Sequence, residues 1–266
     1  MFRQARITIL LYVLLMVALA TWLTKIRSTD WNNSLWLAVY PINGDNSERS
    51  ENYIGKLSLK SFRALETFME REARRYGITL ERPLRVEIGD EISERPPAPP
   101  ADGNPLKVIA WSLKLRYWSY RVQKSQQGPA PDIQMFVVYH DPEQHPVLAH
   151  SLGLEKGLIG VVNGFASRDY TSQNNVVITH ELLHTLGASD KYVPGTSAPA
   201  FPYGYAEPAK KPLHPQNAAE IMGGRIPLSE ESSEMPSGLA DCVVGPLTAR
   251  EINWIQDFKH DYWLVP

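Results

Sequence analysis

The chain of 266 residues is 43% hydrophobic and 21% charged, the balance of an ordinary globular protein. Its formal net charge of -2 provides no basic field, so no nucleic-acid partner is expected. The single cysteine, Cys242, excludes an intramolecular disulfide framework and reads as a structural thiol. The length suits a short N-terminal segment, residues 1–27, and one sizeable domain, residues 28–266.

Residues 7–23 read ITILLYVLLMVALATWL, with Arg3 and Arg6 before them and Lys25 and Arg27 after. Such a run suits a spanning anchor or a secretory signal. Ala18-Leu19-Ala20 offers a small-x-small cleavage site. Trp22 and Leu23 carry the apolar run past it, which favours an uncleaved anchor. The expectation is a single-pass protein of the cell membrane with its domain outside the cytoplasm, or a secreted one if the segment is cleaved.

Residues 35–40 (LWLAVY), closed by Pro41, read as a buried strand, and 42–52 as polar loop. Residues 58–76 place Leu59, Phe62, Leu65, Phe68, Met69, Ala73 and Tyr76 on one helical stripe, with Gly77 at the stop. Residues 84–88 alternate as a strand. Residues 94–105 (ERPPAPPADGNP) form a Pro-rich loop. The aromatic-rich stretch 109–122 fits helix or strand. Residues 133–139 (IQMFVVY) form a strand. Residues 157–165 (GLIGVVNGF) form another, whose glycines suggest an edge or a close backbone approach. After a polar stretch, 167–175, comes the apolar helix 176–187 (VVITHELLHTLG). This order implies a mixed α/β (α+β) domain with a sheet packed on helices.

That last helix carries H-E-x-x-H at residues 180–184. Residues four apart share a helix face, with Cβ atoms about 6 Å apart, so His180 and His184 can reach one metal ion at about 2.0 Å. Glu181 is rotated by about 100°, where its carboxylate can serve a water in an open coordination position. Keeping two His and a Glu on a mostly apolar helix is costly unless they are paired or metal-bound. Gly187 can take the left-handed conformation that reverses the chain. The turn then brings Asp190, ten positions after His180, back toward the metal. Had the helix run on, Glu207 or Glu220 would be the alternative third ligand.

Downstream, residues 219–224 read AEIMGG. HELLHTLGASD resembles the H-E-x-x-H-x-x-G-x-x-H/D zinc motif of the metzincin clan, and AEIMGG resembles its Met-turn. The Asp variant followed by Tyr192 is similar to the snapalysin-like and immune-inhibitor-like peptidases. The resemblance implies a zincin-like domain with a mixed twisted sheet, an active-site helix, a Met-turn and a C-terminal helix. It implies Zn2+ held by His180, His184 and Asp190, with Glu181 as general base of a zinc metalloendopeptidase. It also implies a protein or peptide substrate laid along an edge strand, taken as 157–165, and Met222 beneath the ligands. Residues 248–255 (TAREINWI) read as the C-terminal helix, with Thr248 as N-cap and Glu251 closing a capping box. Many clan members carry Tyr two residues after the Met, where this chain has Gly224. Tyr192, Tyr203 and Tyr205 are the candidates to replace it in stabilising an oxyanion. The alternative is a non-catalytic zinc-binding or substrate-capturing protein of the envelope with the same fold. His140, His145, His150, His214 and His260 read as surface or hydrogen-bonded, and His214 lies between the two motifs.

Overall fold

A computed structural model describes residues 2–155 and 157–256. The elements in order are α1 (Phe2–Thr29), β1 (Leu35–Asn43), α2 (Glu48–Ile54), α3 (Leu59–Arg75), β2 (Leu84–Ile88), α4 (Pro105–Ser125), β3 (Ile133–His140), β4 (Leu152–Leu154), β5 (Ile159–Phe165) and α5 (Thr171–Thr185). Four two-residue strands follow, β6 (Ala219–Glu220), β7 (Ile226–Pro227), β8 (Ser233–Glu234) and β9 (Cys242–Val243), and then α6 (Pro246–Glu251).

The main sheet has the order β2-β1-β3-β5-β4. β1, β2, β3 and β5 run parallel, and β4 pairs antiparallel with β5. Alternation along the strands sends side chains to two cores. Leu37 and Val39 of β1 and Met135 and Val137 of β3 join α3 (Phe62, Leu65, Phe68, Met69) and α5 (Ile178, Leu182, Leu183) on one face. Ala38, Tyr40, Phe136 and Val138 meet Leu115, Trp118 and Val122 of α4 on the other. The mixed α/β expectation therefore holds, with both sheet faces covered.

The structure corrects several boundaries. β1 runs past Pro41 to Asn43, and α2 occupies part of the expected loop, capped by the Ser47 hydroxyl accepting from Ser50 N. The ambiguous aromatic stretch is helical. Asn104 Oδ1 accepts from Leu106 N and Lys107 N, and Pro105 sits in the first turn, where a missing N–H costs nothing. α5 starts at Thr171, inside the expected polar stretch. Its buried Asn174 and Asn175 bond the backbone of Phe165 and Ser61, which makes their burial tolerable. The strand at 157–165 is not an edge: β5 lies between β3 and β4, and β4 is the edge. Gly245, not Thr248, caps α6, and Thr248 Oγ1 donates to Glu220 Oε1 instead.

α1 is one continuous helix, along which Ile9, Leu10, Leu11, Tyr12, Leu14 and Leu15 are exposed. Among the described residues no helix is long and apolar enough to cross a membrane, so the spanning anchor expected from the sequence finds no support in the structure. Past the end of α1 the chain is pinned to the domain: Trp31 Nε1 donates to Ile252 O at 2.7 Å, and its ring meets Trp254 edge-on.

Candidate metal centre

The histidine pair is set by α5 and by how that helix ends. Gly187, at φ +104°, reverses the chain. Gly187 N donates to His184 O and Ala188 N to Leu183 O, the two bonds of a Schellman stop. The chain then returns Asp190 over the helix face that carries both imidazoles.

Three donor atoms converge there. His184 Nε2 lies 3.1 Å from His180 Nε2, and Asp190 Oδ1 lies 3.0 Å from His184 Nε2 and 3.2 Å from His180 Nε2. The ring tautomers follow from the other nitrogens. His180 Nδ1 donates to Ile221 O at 2.9 Å, and His184 Nδ1 donates to Ala188 O at 2.8 Å. A carbonyl oxygen only accepts, so the neutral rings carry their protons on Nδ1. Both Nε2 lone pairs then face each other and a carboxylate oxygen. Three acceptors in such a triangle repel unless a cation lies between them. A tetrahedral zinc site with bonds of 2.0–2.1 Å has donor separations of about 3.3 Å, within a few tenths of those observed. His180, His184 and Asp190 thus form a group able to hold a metal ion.

Glu181 is 6% exposed, and its Oε2 is buried without a hydrogen-bond partner. Burial pushes its carboxyl up, against the pull of His180 and His184. Burial alone would lower His180, but the Asp190 contact and the Glu181 charge leave it raised. Asp190 is held well below the usual carboxylate range, because both imidazoles outweigh its partial burial. Tyr192 stacks on His180 with centroids 6.4 Å apart, and its phenol feels the charge of Asp190. Burial and the Asp190 charge push that phenol up to about 12.

The turn at 220–223 supports the centre from below. Met222 is fully buried, and its carbonyl accepts from Lys191 N. Glu220 is fully buried, and burial pushes its carboxyl up. Its Oε2 accepts from Met222 N and Gly223 N, and its Oε1 from Gly245 N and Thr248 Oγ1. It is a knot between the turn and α6, so it is not a free ligand. Glu207 is likewise engaged, with Oε2 accepting from Asn217 N and Nδ2. Of the three candidate third ligands, only Asp190 meets the histidines. The Tyr205 hydroxyl pairs with His214 at 3.2 Å, and Tyr203 is half-buried. Tyr192 is in contact with the centre through His180. His260 lies outside the described residues.

Some contributors had no legible signal in the chain. The carbonyls of Ile221 and Ala188 fix the ring tautomers, and no sequence pattern marks a carbonyl. Glu251 does not close a capping box. Its carboxylate accepts from Ser189 N (3.0 Å), Ser189 Oγ (2.7 Å) and Lys191 Nζ (2.6 Å), gripping the residues on either side of Asp190. β4 crosses the same helix: a Cβ on Gly153 would lie 2.4 Å from Glu181 O and 2.7 Å from His184 Cβ. Only glycine lets the edge strand approach the centre so closely.

No protein-family model matches the chain, and no curated protein matches it.

Proposed function

We propose that this chain is a zinc-dependent metallopeptidase of the metzincin type. The observation that carries the reading is the triangle of His180 Nε2, His184 Nε2 and Asp190 Oδ1, with both Nδ1 atoms held by carbonyls. Bound there, zinc would supply Lewis acidity and lower the pKa of a coordinated water to about 7. Glu181 would carry the proton between water and leaving group. Its buried, unpartnered Oε2 takes one from the attacking water and passes it to the leaving amine nitrogen. Tyr192, whose ring lies against that of His180, would donate toward a developing oxyanion. An extended peptide substrate would add to β4, the edge strand that Gly153 brings against α5. The exposed apolar side chains of α1 support a location at the cell envelope.

The test uses the full-length chain in mild detergent, beside Glu181→Gln. Zinc content and cleavage of an unstructured protein such as casein are measured. The expected result is zinc in both proteins and a fall in cleavage of about 10²–10⁴-fold in the variant. Zinc in both without cleavage by the parent favours the substrate-capturing alternative. Absence of zinc from the group of His180, His184 and Asp190 removes both readings.

A further inference from the structure

A second cluster lies at the C-terminal ends of the parallel strands β1 and β3. Asp45, His140 and His145 each present a donor atom within 4.8 Å of the others. None of the three belongs to the centre described above.

The protonation of His140 is settled by its neighbours. Asn163 Nδ2 donates to His150 O at 3.1 Å, which fixes the orientation of the amide and turns Oδ1 toward His140. His140 Nε2 therefore carries a proton and donates it to Asn163 Oδ1 at 3.3 Å. That leaves a lone pair on His140 Nδ1, an atom buried without a hydrogen-bond partner. A Cβ on Gly44 would lie 2.6 Å from His140 Cε1, so the imidazole is packed against the backbone of the β1–α2 turn. Asp45 is oriented as firmly: Oδ1 accepts from Ser47 N at 3.0 Å and Oδ2 from Asp141 N at 2.5 Å. The His145 ring lies 5.3 Å from that of His140, centroid to centroid, and is solvent-exposed. A neutral imidazole with an orphaned lone pair, set beside a carboxylate and a second imidazole, has the donor set of a transition-metal ligand group and not of a calcium or magnesium site.

We propose that Asp45, His140 Nδ1 and His145 form a second divalent transition-metal site of the zinc class, distinct from the His180 centre. The donor set is His₂Asp with one position open to solvent, and Asn163 is the outer partner that fixes the His140 ring. The cation staples the β1–α2 turn and the end of β3 to the loop 141–151. That loop feeds directly into β4, so the site steadies the edge strand that borders the His180 centre.

The test is metal stoichiometry of the full-length chain, equilibrated with zinc and freed of excess by gel filtration. The parent is compared with His145→Gln, a change at an exposed side chain that leaves the core intact, and with His180→Gln/His184→Gln. The proposal expects two equivalents in the parent and one in each variant. One equivalent in the parent that disappears in His145→Gln also supports it, while sinking the His180 centre. Two equivalents in both the parent and His145→Gln overturn it. So does a single equivalent that His145→Gln leaves in place.

Discussion

Replacing Glu251 by Ala tests how Asp190 is held. The side chain of Lys191 is 4% exposed and that of Glu251 is 22% exposed. Removing the carboxylate strands a buried ammonium, leaving it only Ser189 O and Oγ as acceptors. Breaking a buried pair in this way costs about 3–5 kcal/mol. The partial exposure of Glu251 places this case at the lower end, about 3 kcal/mol. Lys191→Met should cost less, about 1 kcal/mol, because the remaining carboxylate reaches water and keeps both bonds to Ser189. The double variant should fall within about 1 kcal/mol of Lys191→Met, since the stranded charge is gone. Urea unfolding of all four proteins measures these differences. Competition with a chromophoric chelator measures zinc affinity, which should fall about 10–100-fold in Glu251→Ala as Asp190 loses its support. A stability loss with unchanged zinc affinity would show that Glu251 anchors α6 without positioning Asp190. A loss below about 1 kcal/mol, the level of an exposed ion pair, would refute the buried-pair reasoning itself.

Two further outcomes follow from buried groups near the same frame. Glu220→Gln retains one acceptor oxygen and turns an amide NH2 toward two N–H or O–H donors. Each orphaned donor costs roughly 1–3 kcal/mol, so a loss of about 3 kcal/mol is expected by urea melt, and an unchanged midpoint would remove Glu220 as the knot of the turn. Burial pushes the Cys242 thiol from its ordinary 9.0 up to about 12. The folded chain then holds that proton more tightly than the unfolded one. This contribution to stability is complete below 9.0 and is lost as pH rises from 9.0 toward about 12. At neutral pH iodoacetamide should label Cys242 only in denaturant; rapid labelling of the native chain would contradict its burial.

Strands and helices with a single strong period could be read directly from the chain. α3 carries its apolar stripe at helical spacing and ends beside Gly77, and β3 is apolar apart from Gln134 and His140 because both of its faces are covered. The residues of the candidate metal centre were legible for the same local reason. His180 and His184 lie four positions apart on one helix, and Gly187 permits the reversal that returns Asp190. The α4 segment was not decidable, because its aromatic residues suit a strand as well as a helix. Asn104 and the opposite core settle it.

What the sequence by itself determined was chemistry whose geometry is local: two imidazoles on one turn of helix, a glycine that stops it, and an acid just beyond. The tertiary structure decided which of Asp190, Glu207 and Glu220 meets them, because Glu220 is consumed by Gly245, Thr248 and the turn at 220–223. It decided that β4 and not β5 forms the edge, since pairing partners lie far apart in sequence. It alone brought Asp45 to His140, nearly a hundred positions away, and placed Glu251 against Ser189 and Lys191. Contacts of that range depend on how the whole sheet is ordered, and no short window of residues encodes that order.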